Sequence, residues 1–307
     1  MEFLHWLASW RTPLGDAVFS AVTLLGEETL FIAAGLLFFW CIDKRQGYFL
    51  LFVGFLGTVL NQFLKLLFRV PRPWVRDPSL TVVGDAKTAA TGYSFPSGHT
   101  QTAVGVYGGV ARSAQRWWVR ALCLLVCALV GFSRLYLGVH TPADVGVSLL
   151  VAGGLVLGLY PLVRWAMNSP RRMRVLFLAC AALAIGFLAF VTWFPFPADI
   201  DPHNYASGVK NAYKILGCFA GLWLAFEADT RFIRFDTRAV WWAQGLKMAF
   251  GLLPLLAIKA GLKAPLAALF GGAPAADGVR YFLIAVFAGC IWPLTFRFFG
   301  RLGKGKG

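Results

Sequence analysis

The chain has 307 residues, of which 58% are hydrophobic and 14% charged, against roughly 25% charged in an average soluble domain. With 29 Lys and Arg facing 14 Asp and Glu, the net charge is +15. The basic residues fall between long apolar runs, which argues against a soluble nucleic-acid binder and suits a membrane protein with a positive inner face.

Residues 1 to 26 place Phe3, Leu4, Trp6, Leu7 and Trp10, then Leu14, Val18, Val22 and Leu25, at helical spacing among polar residues. That pattern predicts helices lying in the membrane interface. Glu2, Arg11 and Pro13 argue against a cleavable signal peptide. A spanning helix needs about 20 mostly apolar residues. Nine segments qualify, near 27 to 42, 47 to 69, 97 to 112, 117 to 136, 143 to 165, 173 to 194, 209 to 228, 240 to 263 and 279 to 299. The expected fold is all-α, a polytopic integral membrane helical bundle of about nine transmembrane helices with interfacial helices before them. Unusual polar residues gather between 65 and 144, so a catalytic half over 27–165 and an additional helical half over 166–307 are expected after the segment 1–26.

Strict alternation puts Lys44, Arg45, Arg116, Arg172, Arg234, Arg301, Lys304 and Lys306 on one side, with the larger share of the basic residues. That side is expected to be cytoplasmic, the N-terminus outward and the C-terminus inward. Cys41, Cys123, Cys127, Cys180, Cys218 and Cys290 all lie in or beside apolar runs and are read as packing residues.

Three polar clusters land on the outer face. Lys65 ends an outward-going helix, and Arg72 follows between Pro71 and Pro73, which hold the backbone extended. A lysine point charge beside a forked guanidinium suits a phosphate group. Pro96-Ser97-Gly98-His99 opens the third segment. Ser97 there reads as a helix N-cap, and the same helix start offers free N–H groups and a positive dipole end to an anion, with His99 beside it. Ser133-Arg134, His140 and Asp144 span the next outer turn. Thr141-Pro142-Ala143-Asp144 resembles a capping box, yet a carboxylate four residues past an imidazole can also accept its ring N–H and leave the other nitrogen free as a nucleophile.

Lys65 to Pro73, Pro96 to His99 and Ser133 to Asp144 resemble, without departure, the three motifs of the type 2 phosphatidic acid phosphatase superfamily: Lys-x6-Arg-Pro, Pro-Ser-Gly-His and Ser-Arg-x5-His-x3-Asp. The resemblance implies a phosphatase in which His140 attacks phosphorus to give a phosphohistidine and Asp144 orients it. It implies His99 as general acid and then base, with Lys65, Arg72, Ser97, Gly98 and Arg134 holding the phosphoryl oxygens and no metal or other cofactor. The expected partners are membrane lipid and a phosphorylated lipid substrate, a lipid phosphate or isoprenoid pyrophosphate, with no nucleic acid. A glucose-6-phosphatase-like enzyme acting on a soluble ester is the main alternative, with Asp144 standing against it. Lipid phosphotransfer is another, and a non-enzymatic transporter is disfavoured because no motif member is missing.

Short loops and the lack of Asn-x-Ser/Thr acceptors suit a bacterial plasma membrane, with the site on the periplasmic or extracellular side. The last four helices could serve as a homodimer surface, a lipid gate or a second conduit. Asp199, Asp201 and His203 read as a solvated turn, and Lys247, Pro254 and Lys259 as snorkelling lysines around a kink.

Overall fold

The computed structural model describes residues 1–90 and 92–302. Lys304 and Lys306, counted above on the inner side, lie outside the described residues. All nine predicted segments are helical, and no strand occurs among the described residues.

Six helices there are long and apolar enough to cross a membrane: Lys44–Arg76, Trp117–Tyr136, Pro142–Ala166, Pro170–Trp193, Trp241–Leu269 and Ala275–Phe299. Pro13–Gly26 and Glu28–Ile42 meet at a 50° bend and together form a seventh broken span or a re-entrant loop. The second N-terminal helix is therefore one limb of this bent pair, because Glu27 takes an extended backbone between them. The segment from 97 is short, a helix Gly98–Ala103 continued by a π-helical turn Val104–Gly108 and Gly109–Ser113. The helix Pro202–Ala228 is long, but Lys210, Asn211 and Lys214 dilute its apolar character.

The Trp117–Tyr136 helix shows why these elements suit lipid. Cys123, Cys127, Val130 and Arg134 recur at i+4, i+3 and i+4 and are buried, while Leu122, Leu124, Leu125 and Phe132 are exposed. With the apolar side turned outward, small and polar groups line the interior, the pattern of a helix whose outer solvent is hydrocarbon. Trp117, Trp118, Trp193, Trp241 and Trp242 stand exposed at helix ends, as aromatic anchors at a lipid–water boundary do.

The chain divides into two compact units, each discontinuous in sequence. The first comprises Met1–Ile32, Phe52–Pro161 and Phe196–Gly208. Within it Gly26, at the bend, lies against the start of the Gly98–Ala103 helix, and a Cβ there would sit 2.8 Å from the His99 carbonyl oxygen. The N-terminal helices also brace the end of the Trp117–Tyr136 helix and the 77–81 loop. Arg11 donates from Nε to the Tyr136 carbonyl at 2.8 Å and from Nη1 to the Thr81 carbonyl at 2.8 Å, while His5 meets Asp77 at 2.7 Å.

The second unit comprises Ala33–Leu51, Leu162–Pro195 and the chain from Val209 onward. Trp40 donates its indole N–H to the Ala288 carbonyl at 2.8 Å, and Lys44 pairs with Asp229 at 2.6 Å. Lys247 is fully buried rather than snorkelling. Its Nζ donates to the Thr237 carbonyl at 3.0 Å and lies 4.5 Å from the Phe296 ring centroid. A tethered ammonium beside an aromatic face is satisfied without reaching water.

Candidate active site

All the residues singled out for chemistry fall in the first unit. The Lys44–Phe68 helix carries Lys65 in its last turn and ends at Arg69, whose φ of 48° turns the chain. Arg72 then has an extended backbone before Pro73, as its flanking prolines predict. Gly138, with φ of 79°, permits the turn that aims His140 inward, and a Cβ there would meet the Thr81 carbonyl oxygen. The amides of Val139 and His140 both donate to the Arg134 carbonyl, at 3.2 and 3.3 Å.

The core of the site is a buried chain of contacts. Arg72 Nη1 lies 2.9 Å from His140 Nε2, and His140 Nδ1 lies 3.3 Å from Asp144 Oδ2. A guanidinium only donates, so Nε2 must carry the lone pair and the ring proton must sit on Nδ1, facing the carboxylate. His140 and Asp144 are each 1% exposed. Asp144 makes the capping contacts as well: Oδ2 also accepts the Thr141 amide at 2.7 Å, and its own amide donates to Thr141 Oγ1 at 3.3 Å. The carboxylate caps its helix and orients the ring at once.

Cations surround the imidazole. Burial, first, and then the charges of Arg72, Arg134, Lys65 and His99 push the His140 ring well below the ordinary histidine value. The ring is therefore neutral at pH 7. In selectively labelled protein its nitrogen shifts should remain those of a neutral ring at pH 6; titration at or above pH 6.5 would contradict this environment.

Arg72 is held in place, its Nε donating to the Gly92 carbonyl at 2.9 Å and its Nη1 to the Val139 carbonyl at 3.1 Å. Lys65 Nζ donates to the Tyr93 carbonyl. Arg134 is 3% exposed and donates from Nη1 to Thr23 Oγ1 at 2.6 Å, while its Nε has no partner among the described residues. Ser97 caps its helix, accepting from the Thr100 amide at 3.4 Å, and its own amide donates to the Asp144 carbonyl at 3.1 Å. Gly98 begins that helix and His99 follows in its first turn, half-buried. Ser133 turns its hydroxyl back onto the Val130 carbonyl at 2.7 Å.

Several contributors carry no motif. The carbonyls of Gly92, Tyr93 and Val139 accept from Arg72 and Lys65, Thr23 accepts from Arg134, and Ser94 donates to Asp144 at 2.6 Å. Asp201, in the turn expected to be solvated, caps its helix by accepting the Asn204 amide at 2.7 Å. No cluster of three or more His, Cys, Asp or Glu with metal-holding geometry occurs among the described residues.

The profile of the PAP2 superfamily matches residues 46–168, and that of the PAP2 superfamily phosphatase transmembrane extension matches residues 213–304. Phosphatidylglycerophosphatase B of Bacillus subtilis is 30% identical over 164 residues, covering 48% of this chain and 72% of that protein. The chain belongs to the PAP2 superfamily. With its apolar spans it is an integral membrane protein. A probable sphingosine-1-phosphate phosphatase of Dictyostelium discoideum is 28% identical over 71% of this chain and 56% of its own length. The undecaprenyl-diphosphatase BcrC of Bacillus subtilis is 36% identical over 32% of this chain and 48% of its own length. The chain thus spans about half the length of these last two PAP2 relatives. The match at 46–168 includes every motif residue from Lys65 to Asp144.

Proposed function

We propose that this chain is a membrane phosphatase that hydrolyses a lipid phosphate or an isoprenoid pyrophosphate at the non-cytoplasmic face, through a phosphohistidine at His140 and without a metal. The observation that carries the reading is the buried His140 ring, with Nδ1 toward Asp144 and Nε2 toward a guanidinium. The names of the relatives, a monophosphate lipid phosphatase and a diphosphatase among them, support the substrate class.

An entering phosphoryl group exchanges places with Nε2 in the hold of Arg72 and meets Lys65, Arg134 and the amide end of the Gly98–Ala103 helix. Fixed cations and a helix N-terminus neutralise the charge that phosphoryl transfer spreads over its oxygens. The Nε2 lone pair attacks phosphorus in line, forming N–P as the P–O bond to the leaving group breaks. His99 gives its proton to the leaving oxygen, and the negative charge of the phosphate favours the protonated ring beforehand. In the second step His99 takes a proton from water, the water oxygen bonds to phosphorus and the N–P bond breaks, releasing phosphate and restoring both rings. Asp144 stabilises the positive charge that His140 carries between the steps.

In this reading residues 27–165 form the catalytic core and residues 166–307 supply additional transmembrane helices. A lipid could enter from the bilayer with its chains in hydrocarbon and its head group at the cations. The test is phosphate release from a panel of phosphatidic acid, sphingosine-1-phosphate, undecaprenyl diphosphate and glucose-6-phosphate, in detergent with excess chelator. Lipid esters should turn over at unchanged rate in chelator. Turnover of glucose-6-phosphate alone, or collapse on chelation, would overturn the reading.

A further inference from the structure

We infer that Ser94 is a positioning residue for His140, acting through Asp144. The inference deepens the proposed mechanism and rests on His140 being its nucleophile. Ser94 is fully buried, and its Oγ lies 2.6 Å from Asp144 Oδ2 and 3.5 Å from His140 Nδ1. Since Nδ1 carries the ring proton, the hydroxyl donates to the carboxylate and not to the ring.

Oδ2 is the shared acceptor of three donors: the Ser94 hydroxyl at 2.6 Å, the Thr141 amide at 2.7 Å and His140 Nδ1 at 3.3 Å. The last two belong to the same turn as the carboxylate and move with it. Ser94 stands on a different segment, and its hydroxyl fixes the carboxylate against the rest of the site. It is itself anchored, its amide donating to the Val70 carbonyl at 2.9 Å.

The position of Ser94 in sequence gives this bond a wider meaning. Gly92, Tyr93 and Ser94 each hold a different motif residue: the Gly92 carbonyl takes Arg72, the Tyr93 carbonyl takes Lys65, and the Ser94 hydroxyl takes Asp144. Two residues later Pro96 leads into Ser97 and His99. Three consecutive residues thus set the phosphate-binding cations, the nucleophile's carboxylate and the acid–base histidine in one register. The Tyr93 hydroxyl accepts the Asp201 amide at 3.3 Å, which ties the strap to the 196–208 segment of the same unit.

A group that aims the nucleophile without touching the phosphate changes kcat and leaves KM in place. Ser94→Ala, in the full chain, should lower kcat about 10- to 100-fold on the panel ester that turns over fastest, with KM within about twofold. Ser94→Cys, which keeps the shape with only a weak donor, should match Ser94→Ala, and Ser94→Thr should recover most of the rate. In an Asp144→Asn background, Ser94→Ala should add less than about threefold, because the two act as a unit. Each variant is compared with the parent by its melting temperature in detergent, so that the kinetic comparison uses folded protein. A parental kcat in both Ser94→Ala and Ser94→Cys, a rise in KM at constant kcat, or full additivity with Asp144→Asn would overturn the inference. His140→Ala, assayed alongside, separates the two levels. Its retained activity would remove the nucleophile itself, whereas an inactive His140→Ala with a parental Ser94→Ala would remove only the role of Ser94.

Discussion

Replacing His140 by alanine is expected to lower kcat by about 10⁴-fold or more and to abolish any covalent phosphoenzyme, with the protein still inserted and folded. The size follows from what the ring does. In the proposed mechanism its Nε2 is the atom that bonds to phosphorus in the first step, and that nitrogen lies 2.9 Å from Arg72 Nη1 in a buried position. The companion variant Asp144→Asn leaves the nucleophile present but replaces the carboxylate that receives Nδ1–H. It should also lose several orders of magnitude, through a wrong tautomer rather than a missing atom. Rates of phosphate release in the two variants, beside melting curves in detergent, check both statements. Near-parental turnover in His140→Ala would end the mechanism.

Arg72→Lys should lower kcat/KM by about 10²- to 10³-fold, although the charge is kept. The guanidinium donates at once to the Gly92 carbonyl, the Val139 carbonyl and His140 Nε2, a forked arrangement that a single ammonium cannot reproduce. In the proposed mechanism those bonds hold it where the phosphoryl group arrives, so the loss should appear in both KM and kcat. Arg72→Ala should be at least as severe and should also loosen the 92–94 strap, seen as a lower melting temperature. Steady-state kinetics on the fastest lipid ester decide it, and a Lys variant with parental kcat/KM would show that charge alone suffices.

The helices were legible because burial in lipid is written as long apolar runs, and all nine segments were found as helices. Their division into spans was less so. The bend between Gly26 and Glu28 and the π-helical turn at Val104–Gly108 depend on packing, such as the approach of Gly26 to His99, which apolar periodicity does not record. Lys247 illustrates the same limit. A lysine in an apolar run looks like a snorkelling residue until the Thr237 carbonyl and the Phe296 ring are seen around it.

Motif spacing singled out Lys65, Arg72, Arg134, His140 and Asp144, and the structure places them in one unit, with Arg72, His140 and Asp144 in direct contact and the charges of Lys65 and Arg134 acting on the His140 ring. What the spacing could not reveal are the groups that hold them. Carbonyl acceptors at Gly92, Tyr93 and Val139 have no side-chain signature, and Ser94 is one buried serine among many until its hydroxyl is found on Asp144.

The most direct test of the central claim is to quench the enzyme at short times with substrate carrying a radioactive terminal phosphate and to map the label under alkaline conditions. The account predicts an acid-labile, alkali-stable phosphoryl group on the peptide containing His140, absent in His140→Ala. Label on the peptide containing His99, or an acid-stable phosphoester on a hydroxyl, would contradict it.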